Sequence, residues 1–400
     1  LGVGAWLAFE NIGTTRFLPP PASSIGSVPT QGDWPMFQRD PAHTALVPDG
    51  APVPEGELKW RFVTQGPIFS SPAVVGGRVY LSTGDRRIVA LDGESGEVIW
   101  EHRVSGPVNS SPAVAGDLVF IGLRDGNVVA LNKDTGDLQW QFRTGGPIHS
   151  SPAVFEGVVY VGSGDERVYS LDATTGAERW SYLTGGRIMT APAVNGDVVA
   201  VTSQDRYIHI IDVGTGNRRL DYLTSDTGGS PSFYENVVFA ADQSGAVRAI
   251  DWRRRVLPFE KAARWMRTQL FVWGLADAPP RQKGLVWSFR APGESFVGTP
   301  AVAGHHLYVG SRSGVLFALN RSTGEEEWTF AADQGLVASP SVVGETVFVG
   351  DEGGVLYAVD ATTGELRWRF EVDGPISSAP VSVGGMLYVT SLDGTLYVIK

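Results

Sequence analysis

Tryptophan recurs at positions 60, 100, 140 and 180, then at 287, 328 and 368, and within each run the step is 40 or 41 residues. Leu220 stands in the register where the next Trp of the first run is due, which gives eight registers in all. A second marker keeps the same step. Short phrases of small residues end in Pro at 72, 112, 152, 192, 231, 300, 340 and 380. Two markers sharing one period define eight tandem units, and a period near 40 restricts the chain to a repeat architecture.

One unit reads "SSPAVFEGVVYVGSGDERVYSLDATTGAERWSYL". Four short runs rich in Val, Tyr and Leu are separated by turn residues, and helical periodicity is missing. Four strands per unit predict an all-β fold, an eight-bladed β-propeller of four-stranded antiparallel blades. The first run carries the Pro, which cannot serve a ladder on both sides, so it belongs at an edge. Its Ser, Ala and Gly neighbours suit the narrow axis, making it the innermost strand. The second and third runs are apolar on both faces, as stacked blades require. In the third-to-fourth turn, Asp172 can accept bonds from the following backbone and Gly176 can take a positive φ. Trp60, Trp100, Trp140, Trp180, Trp287, Trp328 and Trp368 then fall on the outer strand, expected to lie across the seams between blades. Ring closure is also legible. The chain ends at Lys400 after three strands of the last unit, while "ELKWRFV" around Trp60 has no blade of its own. Three strands plus one would complete the eighth blade and remove an open edge.

Residues 33–400 therefore read as a single propeller domain and residues 1–32 as its leader. The leader holds an apolar stub, "LGVGAWLAF", too short to span a bilayer, and a Pro/Ser-rich tether, "FLPPPASSIGSVPTQG". This layout fits an extracytoplasmic protein, in the periplasm or on the cell surface, held at a membrane through a segment upstream of Leu1. A formal charge of −11 argues against nucleic acid as a partner. The chain has no Cys, so disulfides and thiolate chemistry are excluded.

One unit departs from the pattern. The interval from Leu220 to Trp287 is 67 residues instead of 40, because the turn after Asp251 is replaced by an insert at about 252–283. Within it Phe259, Ala262, Ala263, Met266, Leu270 and Trp273 recur at helical spacing. Residues 251–283 hold eight Lys/Arg against three Asp/Glu. A basic amphipathic helix in the fifth blade is expected, with Arg253, Arg254, Arg255, Trp265, Arg267, Phe271 and Trp273 as candidate contacts for a protein partner or a membrane surface. The competing expectation is that its apolar face packs on the propeller's own flank.

The pattern A-x-[DN]-x-x-[ST]-G-x-x-x-W stands at 90–100, 130–140, 318–328 and 358–368, with 170–180 a near match. It resembles the tryptophan-docking motif of the PQQ-like, quinoprotein-type propeller repeat family, and "DWPMFQRDPAHTA" at 33–45 looks like that family's lead-in. The resemblance implies one of two functions. One branch is the pyrroloquinoline-quinone (PQQ) dehydrogenases, which hold the quinone and calcium at the channel mouth. The other is non-enzymatic, BamB-like propellers that serve as interaction scaffolds.

Calcium wants six to eight oxygen ligands, several of them charged. The residues three before each marker Pro are Phe69, Asn109, His149, Met189, Gly228, Val297, Val337 and Ser377, and none is a carboxylate. Asp226 and Glu294 lie near two of these strands. Asn109, His149, Arg187, Met189 and Glu294 are the candidate channel-mouth residues, suited to a small anion or a peptide end. His305 and His306 are adjacent and read as solvated turn residues, and His209 as a satisfied strand residue. The favoured expectation is a non-catalytic scaffold that binds protein, with no cofactor. The alternative is a PQQ-dependent dehydrogenase or a degenerate relative of one.

Overall fold

The computed structural model describes residues 20–22, 29, 32–47, 50–225, 228–254, 260–275 and 282–400. Among these, eight sheets each contain four consecutive antiparallel strands. The third blade shows the plan: Ala153–Phe155, Val158–Gly162, Arg167–Asp172 and Glu178–Leu183, from axis to rim. The two middle strands of each blade are almost wholly buried, as stacking of blade on blade demands. The inner strands are only two or three residues long and begin just after the marker Pro. The ends of the chain meet in one sheet, where Leu58–Val63 pairs with Thr395–Ile399 beside Met386–Thr390 and Val381–Val383.

Seven of the eight seams use the same contact. Trp100 Nε1 donates to Lys133 O at 2.9 Å, Trp140 to Ala173 O at 2.9 Å, Trp180 to Val213 O at 2.9 Å and Trp287 to Arg321 O at 2.9 Å. Each acceptor lies in the third-to-fourth turn of the next blade. That turn is shaped by its own Asp or Asn: Asp172 Oδ1 accepts from Thr174 N, Thr175 N and Thr175 Oγ1. The turn's Gly then lies under the arriving indole. At Gly136, with φ +77°, a Cβ would sit 2.6 Å from Trp100; at Gly324, also +77°, it would sit 2.4 Å from Trp287. Both the backbone conformation and the space therefore require glycine. Across the strand pair Ala130 faces Trp140. Across the chain ends, Trp368 donates to Pro54 O at 3.0 Å and Gly56 lies beneath its ring. Trp60 in turn reaches Gly93 O at 3.3 Å.

The fourth-to-fifth seam is different. The turn that would receive an indole has been replaced by the insert, and Leu220 stands where the Trp would be. Trp252, the first residue of the insert, fills the space: it is 4% exposed, packs in one cluster with Leu220, Tyr222 and Leu285, and donates to Glu235 O. Gln282 secures the far end, its amide bonding both Leu223 N and Leu223 O. Between these stems runs the helix Glu260–Val272.

The stretch 33–47 does more than lead in. It crosses the axis at the exit end of the inner strands and hands its carbonyls to their free edges. Val114 N donates to Pro35 O, Val194 N to Pro41 O, Phe233 N to Ala42 O, Val302 N to Thr44 O and Val342 N to Ala45 O. Trp34 exchanges two bonds with Val74, and Leu46–Val47 adds a parallel strand to the seventh blade. Inner edges that would otherwise be unpaired are thus satisfied. Gln38, Arg39, His43 and Ala45 all have positive φ, the strain of coiling the chain inside the ring. His43 Nδ1 is 2.9 Å from Pro231 O, so it carries the hydrogen, and burial pushes its pKa down to about 4. The channel is consequently closed at one end.

The seam contact yields a graded expectation. Gly136→Ala should cost about 3 kcal/mol, because backbone strain and an indole clash act together. Gly304→Ala, with φ +55° and nothing within 4 Å of the new Cβ, should cost only about 1 kcal/mol. Guanidinium denaturation midpoints test this; equal costs at the two positions would contradict the role given to the seam.

Candidate functional site

Because 33–47 closes the far end, the channel is a cup of about 290 Å³ with Phe37 among its lining residues. Its wall follows from the marker phrases. Ser71 N donates to Ser111 Oγ, Ser111 N to Ser151 Oγ, Ala191 N to Ser230 Oγ and Thr299 N to Ser339 Oγ, so at four junctions the residue before the Pro ties one inner strand to the next. One position earlier, Ser110 and Ser150 turn back to Gly122 O and Gly162 O in their own blades. The hydroxyls that make these bonds are thereby structural. The residue before them is left to face the cup.

That position brings Asn109, His149 and Met189 together on the lining with Phe69. Phe69 and Met189 are exposed at the rim, whereas Asn109 and His149 are half-buried. Burial, helped by Arg124, lowers the pKa of His149, so the ring is neutral at pH 7. Two candidates lie elsewhere. Arg187 is exposed outside the cup, its carbonyl accepting from Gln204 N in its own blade's second-to-third turn. Glu294 is drawn toward the next blade, where Ser313 Oγ donates to it at 2.5 Å. The chain has not yet turned down the axis at either residue. Asp226 falls outside the described residues.

The donor set can be compared with what a quinone and a hard cation need. No carboxylate, Lys or Arg is among the described residues that line the cup. Nor, among the described residues, is any group of three or more His, Asp or Glu arranged so that it could hold a metal ion. A tricarboxylate quinone would find no cationic partner on this wall, and calcium no charged oxygen. The residues described do not fit that pair.

The insert occupies the opposite face of the disc. Trp265, Met266, Val272 and Trp273 are 65%, 60%, 68% and 67% exposed, and Leu275 is 70% exposed. Of the apolar stripe, Met266 and Trp273 are thus turned to solvent, whereas Leu270 is half-buried. Phe271 is exposed more modestly, and Arg267 is exposed. Arg253 and Arg254 both pair with Asp251 at the base. Arg255 lies outside the described residues. His306 pairs with Glu327 at 2.5 Å, and His305 is exposed.

Comparison with known proteins agrees with this architecture. A family model described as outer membrane protein assembly factor BamB matches residues 52–151, 124–254, 276–351 and 333–400. Among solved structures, BamB from Moraxella catarrhalis is similar at 20% identity, over 85% of this chain and 96% of that one, with a TM-score of 0.68. Quinohemoprotein alcohol dehydrogenase from Comamonas testosteroni is similar at 16% identity, over 93% and 81%, with a TM-score of 0.73. A europium-containing methanol dehydrogenase is similar at 15% identity, over 93% and 98%, with a TM-score of 0.75. At these identities the structural likeness speaks for the fold alone. No curated protein sequence matches the chain.

One titratable cluster lies outside the cup, in the fourth blade. His209 Nε2 is 2.9 Å from Asp205 Oδ2 and its Nδ1 is 3.0 Å from Asp221 Oδ1, beneath the rings of Tyr182 and Tyr207. Burial opposes the imidazolium, but the two carboxylates outweigh it and raise the pKa above 6.5. Asp205 is pushed up by burial and pulled down further by His209 and by Tyr207 N and Gly185 N, to about 2. The stability His209 contributes is full below pH 6.5 and is lost as pH rises through its folded-state value. That of Asp205 is present above 3.8 and is lost as pH falls toward 2. Thermal midpoints should therefore decline from pH 6 into the alkaline range, and His209→Asn should be less stable at pH 6 with a flatter profile. A wild-type midpoint that climbs over that range would contradict the assignment.

Proposed function

The chain belongs to the family described as outer membrane protein assembly factor BamB, and from that premise we propose that it is a non-catalytic propeller scaffold that binds protein partners outside the cytoplasm. The observation that carries the proposal is the chemistry of the cup. Its wall is made of neutral hydroxyls, one carboxamide, one neutral imidazole and a few apolar groups. It has no acid or base pair with separated pKa values, which general acid–base chemistry would need. Phe69 and Met189 stand exposed at its rim, the kind of apolar anchors that a protein or peptide partner buries. Asn109 and His149 beneath them supply neutral hydrogen-bonding groups for a chain end or a backbone amide. The indole seams and the sharing of the last blade by both chain ends serve rigidity in this reading, so that the rim is presented without rearrangement.

An extracytoplasmic location suits the family premise and the Pro/Ser-rich tether. No helix among the described residues is long and apolar enough to cross a membrane. The acidic body is unsuited to nucleic acid. The family's description refers to outer membrane assembly; for this chain only the scaffold role is proposed.

Two measurements test the reading. Incubation with PQQ and calcium, followed by dye-linked alcohol oxidation, should give neither stoichiometric binding nor turnover; tight one-to-one binding with turnover would establish the dehydrogenase reading instead. A photo-crosslinking side chain in place of Phe69 should capture a discrete protein in the native envelope. The same group in place of Val98, exposed on an outer strand, should not. Equal, diffuse labelling from both positions would remove the rim as the partner surface.

A further inference from the structure

We infer that the blade-five insert seats the disc on an anionic lipid surface, with the closed face toward the membrane and the cup opening away from it. The antiparallel blades give the disc two distinct faces. The second-to-third turns share one face with the cup, as the bonds from Gly145 N to Asp165 and from Gly185 N to Asp205 show. The first-to-second and third-to-fourth turns share the other, where Gly93 N meets Gly77 O.

Three features collect on this second face. The plug begins there, with Gly76 N donating to Asp33 Oδ1. The tether touches it, Ala22 N donating to Asp172 Oδ2 at 2.9 Å in the third blade's outer turn. The insert replaces the outer turn of the fifth blade.

The helix has the chemistry of an interfacial element. At 100° per residue Trp265, Met266, Val272 and Trp273 fall on one side, with Arg267 and Phe271 on the other. The four apolar side chains are all more than half exposed, and no strand among the described residues packs extensively against the helix. Trp252 and Gln282 fix the two ends of the insert to rigid strands. Indole rings and guanidinium groups on one short helix suit the headgroup layer, where both find partners.

Charge selects the same surface. Residues 251–283 carry a net +5, and because the whole chain is −11 the rest carries −16. An anionic bilayer would repel the body and attract the insert, which confines contact to this side. A protein groove would have to be acidic and would meet a convex ridge; a bilayer needs no matching shape.

The full chain should float with vesicles of equal parts phosphatidylglycerol and phosphatidylcholine at low salt, and poorly with phosphatidylcholine alone. Trp265→Ser with Trp273→Ser should lower partition by roughly tenfold or more and leave the melting curve unchanged, since both residues are exposed. Arg267→Glu should weaken binding less and flatten its salt dependence. The cysteine-free chain also permits an orientation test. An environment-sensitive dye on Val272→Cys should shift to the blue on anionic vesicles, and the same dye on Phe69→Cys should not. A double variant that floats like the wild type, a chain that stays in solution, or a shift at Phe69→Cys would each overturn the inference. Tryptophan-dependent retention by an acidic helical protein without vesicle binding would overturn it as well, by assigning the ridge to a protein. None of these outcomes bears on the rim crosslink, which tests the scaffold reading separately.

Discussion

Seven of the eight seams rest on an indole lying over a glycine in the neighbouring blade. A propeller has no single core; it has eight seams, and each blade must recognise the next. The docking motif answers this with one unit that both gives and receives. Its Asp or Asn shapes a turn, the residue after it offers a carbonyl, its Gly leaves room for a ring, and its Trp reaches onward to the same features one blade further round. A contact with one N–H, one acceptor and no tolerance for a Cβ fixes angle as well as distance. Repeated around the axis, it sets the radius of the hub and hence the width of the cup.

Closing that hub from one end turns a pore into a cup and makes the two faces unequal. Six inner edges share the carbonyls of a stretch with no repeat of its own, and Phe37 lines the cup that results. The open face then carries a neutral, hydroxyl-lined recess with an apolar rim. The closed face carries the tether contact and a basic, tryptophan-bearing helix on an otherwise acidic disc. Separating these properties lets one side of the molecule be held while the other remains available.

The repeat was readable because every blade obeys the same local rules: alternating burial, a turn that needs Asp and Gly, and an outer Trp. Eight blades of four antiparallel strands follow from that alone. The plug was read only as a lead-in, since it bonds through backbone carbonyls that almost any side chain could carry. Its out-of-period Trp34 was the available hint. Arg187 and Glu294 were placed at the channel mouth from spacing, but the chain turns toward the axis only after them. Leu220 and the enlarged turn looked like two irregularities and are one. Remove the receiving glycine turn, and an incoming Trp has nowhere to lie; Trp252 then supplies the indole from the other side. The exposure of Trp265 and Trp273 was not decidable from sequence, because an amphipathic stripe is the same whether it meets its own protein or something else.

The most direct test of this account is hydrogen exchange of the indole N–H groups, resolved by ¹⁵N-tryptophan NMR and assigned by single substitutions. The seven seam indoles, Trp60, Trp100, Trp140, Trp180, Trp287, Trp328 and Trp368, should exchange slowly and lose protection together as denaturant opens the ring, while Trp265 and Trp273 exchange at the rate of free indole. Seam indoles that exchange as fast as those two would contradict the claim that they hold the blades together.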